Sequence, residues 1–148
     1  SFLFNRVLSR RVAAQTWDRA QPGDVVQLAG TGSVFAASRE QASTLEQRLR
    51  SFDVHLTGPL WGCGELPGGD EVAQLEQAVV GEYPELVRLL EAAGLQQERR
   101  ALRMQVQDCQ HEFVDDSLLL AFTLGRGCYA TSLLRELLQT DAGADVES

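Results

Sequence analysis

At 148 residues, 44% hydrophobic and 23% charged, the chain has the length and balance of one ordinary soluble domain. No apolar run approaches the ~20 residues of a helical membrane span, and the net charge of −8 argues against a self-sufficient nucleic-acid binder. There is no lysine, so a Schiff-base lysine, a phosphate-loop lysine and a lysine general base are all excluded.

The charge is uneven. Residues 1–51 hold seven arginines against four acids, residues 52–98 one arginine against nine, and residues 99–148 five against eight. A polyanion would meet the basic first third. Cys63, Cys109 and Cys128 lie far apart without a C-x-x-C pair, which disfavours a zinc knuckle or redox motif and fits a reduced, cytoplasmic compartment.

Taken in order, residues 2–14 read as a helix with Phe4, Val7, Leu8 and Val12 on one face. Arg6 and Arg10 share another face, which is expected to be solvated. The chain starts inside this pattern without a methionine, so it is expected to be a piece of a longer protein. Ser1 is a candidate cap. Pro22-Gly23-Asp24 is a turn. Val25 to Ala29 and Ser33 to Ala37 then form a hairpin around Gly30-Thr31-Gly32, with the last loop glycine in the left-handed region.

Ser38-Arg39-Glu40-Gln41 has the spacing of a capping box, so a helix is expected from Arg39 to about Arg50. Val54 to Thr57 is a short strand ended by Gly58-Pro59, and His55 within it reads as structural. Residues 58–69, with five glycines and two prolines, read as a long irregular loop in which Trp61 packs onto the body or stacks on a base. Asp70 caps a helix with Val72, Leu75 and Val79 inward. Pro84 opens another, with Leu86, Leu89 and Leu90 buried and Gly94 at its end.

From Ala101 the pattern turns to strands. Leu102, Met104 and Val106 alternate, Glu112 to Val114 lead into an Asp115-Asp116-Ser117 turn, and Leu118 to Leu124 alternate again. The change near residue 103 is the expected internal boundary. Gly125-Arg126-Gly127 then delivers Tyr129 to a helix with Leu133, Leu134, Leu137 and Leu138 on one stripe. Tyr129 is either core filler or the wall of a site. Residues 141–148 are small and acidic and are expected to be disordered.

Ordered motifs resemble one family. Phe4-Asn5 with Leu8 and Arg11, Gly23-Asp24 with Leu28, Thr57-Gly58-Pro59-Leu60 with Gly62, and Arg99-Arg100-Ala101-Leu102 each match a family segment. The closing block, Gly127-x-Tyr129-Ala130-Thr131 with Leu134-Arg135-Glu136-Leu137, is the most specific match. Together they resemble the TruD family of tRNA pseudouridine synthases over residues 2 to about 138.

The resemblance implies an α+β fold. Residues 1–103 would belong to a mixed helix and strand inserted domain, and residues 104–140 would be the terminal antiparallel strands and helix of a discontinuous catalytic domain. It implies conversion of a uridine in tRNA, typically at position thirteen, to pseudouridine without cofactor or metal. The family's nucleophilic aspartate lies in a G-x-K-D segment that a lysine-free chain cannot contain in that form. Asp115 and Asp116 match a different family position. So no catalytic residue is expected here, and the chain alone is expected to be inactive. Tyr129 would line the uridine pocket, with Gly127, Thr131, Arg135 and Asn5 as further substrate-binding candidates. The partner would be tRNA, with no membrane, and unpaired strand edges would favour a non-native homodimer. The alternative is an inserted domain that grips RNA without chemistry.

Overall fold

The computed structural model describes residues 1–138; the expected tail at 141–148 lies outside them. The chain divides into two units, Ser1–Arg103 and a second from Met104 onward.

The first unit opens with α1, Phe2–Ala13. Its inward face is Leu3, Phe4, Val7 and Arg11, not the expected row ending at Val12, which is 52% exposed. An arginine replaces a valine in the core because its charge is answered there. Arg11 Nη1 and Nη2 donate to the two oxygens of Asp24 at 2.6 and 2.9 Å, and Nη2 also donates to the Thr16 carbonyl at 2.7 Å. Buried charges persist when paired and hydrogen-bonded in this way.

Strand β1, Val25–Leu28, pairs antiparallel with β2, Val34–Ala36, in the register Val26↔Phe35. The hairpin forms as its spacing predicts, but the left-handed glycine is Gly30 at φ +74°, not Gly32. Thr31 closes the turn early, its amide and hydroxyl both donating to the Leu28 carbonyl. Ser38 makes no capping hydrogen bond. A short 3₁₀ turn, Arg39–Gln41, precedes α2, Ala42–Arg50, so the helix starts three residues later than the capping-box spacing suggests.

Strand β3 runs over Val54–Leu60, through the Gly58-Pro59 pair that was expected to stop it. The reason is its neighbours. Residues 54–56 pair with β1, whereas residues 57–60 pair with β4, Glu98–Ala101. The Leu102 amide donates to Leu56 O at 2.8 Å, and the antiparallel alternation from that bond leaves Pro59 opposite Arg99 at a position with no ladder donor to supply. The result is one four-stranded antiparallel sheet, β2-β1-β3-β4. Phe4, Val26, Leu45, Leu49, Val54, Leu56 and Leu102 form its core.

Helix α3, Asp70–Gly81, is capped by Gly69 and not by Asp70. It buries Val72, Val79, Val80 and Glu76 while Leu75 stays half-buried. Helix α4, Pro84–Ala92, departs further from expectation. Leu86 and Leu90 are only half-buried and Leu89 is 68% exposed, because a nine-residue helix on the margin of the sheet has one side to pack and three leucines to place.

The segment from Trp61 to Gly69 is irregular yet pinned. The Cys63 amide donates to Leu95 O and the Gln97 amide to Cys63 O, and a Cβ at Gly62 would lie 2.4 Å from backbone atoms of Leu95 and Gln96. Trp61 Nε1 reaches Glu91 Oε1 at 3.3 Å, so the indole packs toward α4. At the other end, Gly23, at φ +86°, and Gly69 touch backbone to backbone: a Cβ on Gly23 would sit 1.8 Å from Gly69 O.

The second unit is a hairpin and a helix. β5, Val106–Val114, pairs with β6, Ser117–Leu124, across a two-residue turn of Asp115 and Asp116, with Asp115 at φ +51°. A second irregularity sits between Gln107 and Gln110. Helix α5 follows over Ala130–Leu137. No residue from Met104 to Leu138 is buried, and Phe113, Leu119, Leu137 and Leu138 stand exposed. Among the described residues no helix is long and apolar enough to cross a membrane.

Candidate functional site

Four of the five candidate residues sit on one short stretch of the second unit. β6 ends at Leu124, and the Cys128 amide donates back to Gly125 O at 3.1 Å, closing a turn over Gly125 to Cys128. Gly127 lies within it at φ +84°, a region that L side chains rarely enter. A Cβ there would meet nothing within 4 Å, so the glycine answers to the backbone angle and not to crowding by the described residues. Gly125 likewise has open space around it.

The turn hands the chain to α5 through Tyr129, which occupies the cap position with extended angles, φ −116° and ψ 128°. A phenol cannot fold back to cap its own helix, and no side-chain cap bond is made. The residue is 61% exposed. The first amides of α5 lie next to it, where the helix dipole favours an anion. Thr131 and Arg135, one turn apart on α5, share a face, and both are exposed.

Asn5 belongs to the first unit. It is exposed on α1, where its amide caps back to Ser1 O at 2.9 Å. Nothing in its own unit joins it to a cluster of candidate groups.

The first unit instead holds residues whose motif positions prove structural. Arg99 donates from Nη1 and Nη2 to both oxygens of Glu76, at 2.9 and 2.8 Å. It also donates from Nε to Thr57 Oγ1 at 3.0 Å. Thr57 in turn donates to Val25 O at 2.7 Å. Gly58 leaves room for Phe4 and Leu102, whose side chains would lie 3.1 Å from a Cβ there. So Arg11 and Asp24, and likewise Thr57 and Arg99, are motif pairs far apart in sequence that lock to each other. Nothing in the spacing of any one motif signals this; only the pairing of one motif's cation with another's anion or hydroxyl does.

His55 was read as structural, and its surroundings agree. Arg103 Nε donates to its Nδ1 at 3.2 Å, which requires the proton on Nε2. Burial, and then the Arg103 charge, hold the His55 pKa below its ordinary 6.5. The Arg103 pKa is also lowered by burial, against the opposing pull of Asp18. Trp61 lines a cavity of about 280 Å³ in the first unit, where Phe2, Leu86, Leu90 and Leu95 are joined by the polar Gln96 and Glu98.

The sequence pattern of "tRNA pseudouridine synthase D (TruD)" matches residues 1–137. The chain belongs to the TruD family. Two tRNA pseudouridine synthase D proteins illustrate the TruD relatives. The one from Xanthomonas axonopodis pv. citri is 45% identical over 140 residues, 93% of this chain and 38% of that protein. The one from Pseudomonas aeruginosa (strain LESB58) is 42% identical over 139 residues, 93% of this chain and 39% of that protein. The chain thus spans about two fifths of the length of the TruD relatives it matches. A crystal structure of a Methanosarcina mazei protein assigned to TruD shares the fold, with a TM-score of 0.71 at 20% identity over 90% of this chain and 35% of that one.

Proposed function

We propose that this chain is the C-terminal part of a tRNA pseudouridine synthase, an isomerase that turns a uridine of tRNA, at position thirteen, into pseudouridine. In this reading the first unit is part of the inserted domain, and the hairpin and α5 are the last strands and helix of the catalytic domain. Tyr129 forms a wall of the uridine pocket. Gly127 gives the turn that presents it, and Thr131, Arg135 and Asn5 meet the RNA. The α5 N-terminus favours a phosphate beside the ring. The nucleophilic aspartate belongs to a segment outside this sequence, and no cofactor or metal takes part.

The observation that carries the reading is the exposed aromatic of the closing motif. Tyr129 stands 61% exposed at a glycine turn in a chain whose sequence follows the TruD pattern over residues 1–137. The alternative, an inserted domain that grips RNA unaided, is weakened by the arginines of residues 1–51. Of those seven, Arg10, Arg11, Arg39 and Arg48 are engaged by Glu82, Asp24, Asp70 and Asp53.

The test uses the full-length synthase and tritium release from tRNA labelled at uridine C5. Tyr129→Ala should lower kcat/KM by about 10- to 100-fold, the loss of one base–aromatic stack. Tyr129→Phe should retain most activity. Unchanged turnover by the alanine variant would remove Tyr129 from the pocket.

A further inference from the structure

Arg103, the last residue of the first unit, is gripped by four groups of that unit. Its Nε donates to His55 Nδ1 at 3.2 Å. Its Nη2 donates to Val54 O at 3.3 Å and to the Leu49 carbonyl. Its guanidinium lies over the Phe52 ring, 4.3 Å from the centroid, within the range of a cation–π contact. Leu49 is in the last turn of α2, where carbonyls lack helical partners and the dipole favours a cation. Phe52 lies in the short link between α2 and β3 at φ +59°, a conformation uncommon for an aromatic residue.

The chain on either side of Arg103 differs sharply. One residue earlier, Leu102 is buried and its amide extends the β3 ladder. After Arg103, only Met104 and Gln105 precede the start of β5 at Val106. An arginine on an ordinary surface answers a carboxylate. This one takes two carbonyls, an imidazole nitrogen and a ring, all from residues 49–55.

We propose that Arg103 is a clamp that fixes the point at which the chain leaves the first unit. The clamp stands whether or not Tyr129 meets a uridine.

Limited trypsin digestion of the intact chain tests it. Cleavage after an arginine requires that its side chain be free, and the rate follows the population of the open form when reclosing is fast. The Arg126–Gly127 bond lies in an exposed turn and serves as the internal reference. Arg103–Met104 should be cut far more slowly than Arg126–Gly127. His55→Ala should raise the ratio of the two rates by about tenfold, the equivalent of one hydrogen bond to a charged group. His55→Asn keeps an acceptor oxygen near the place of Nδ1 and should restore protection. Should His55→Ala fail to fold, Phe52→Leu removes only the ring face and should raise the same ratio. Equal cutting of the two bonds in the unaltered chain would overturn the clamp. So would identical ratios for the alanine and asparagine variants, or no change with Phe52→Leu.

Discussion

His55 shows how one nitrogen lone pair ties the end of the first unit to β3. It accepts from Arg103 only while Nδ1 is unprotonated, and burial with the neighbouring cation keeps its pKa below 6.5. The unfolded chain, with an ordinary imidazole, therefore binds the proton first as pH falls. The stabilising contribution is complete above about pH 6.5 and is lost as pH drops from there to the lower folded value. The unfolding midpoint in urea should accordingly fall between about pH 7.5 and pH 5.5, and His55→Asn should flatten that part of the curve. An unaltered slope in the asparagine variant would assign the pH dependence to other groups. Arg11 and Asp24 are essentially inaccessible, at 1% and 0%, and each answers the other's charge.

At the scale of elements, backbone contact matters more than side-chain pattern. Gly23 and Gly30 both have positive φ, but a Cβ meets Gly69 O at 1.8 Å in one case and open space in the other. Gly30→Ala should cost about 1 kcal/mol, the left-handed penalty alone. Gly23→Ala should cost roughly 2 kcal/mol or more beyond that, because backbone must move. Denaturant unfolding of the two variants reads the difference, and equal losses would mean the Gly23–Gly69 contact yields freely. Parts of the fold were legible in local pattern, and others depended on contacts between distant segments. Apolar alternation placed β1, β2 and β6, and the Asp115-Asp116 turn was plain from its residues. The length of β3 was not legible, since it depends on which strand lies opposite Pro59. Nor was the burial of Arg11, which a periodicity rule reads as solvent. Three leucines in α4 looked like a core stripe although only one side of that helix finds a neighbour. At the candidate site, Tyr129 was visible as a choice between filler and wall, and its exposure is shared by the apolar residues around it, so the choice rests on the variant test.

Over the whole molecule, chemistry and scaffold divide unevenly. The lysine-free sequence carries no G-x-K-D segment, and the exposed candidates Tyr129, Thr131 and Arg135 bring no carboxylate with them. The isolated chain should therefore release no tritium from C5-labelled tRNA above background, under conditions where the full-length synthase turns over. Measurable turnover would place the reactive carboxylate within these 148 residues. The position of β4 has another consequence, which belongs to folding. Glu76 and Thr57 wait for Arg99, the central strand lacks one neighbour until residues 98–101 arrive, and the α2–β3 link is unclamped until Arg103 follows. Until β4 is in place, the first unit holds a carboxylate that must stay hydrated and a strand edge that must stay open. The sheet is complete only once its last strand in the chain, Glu98–Ala101, has paired with β3.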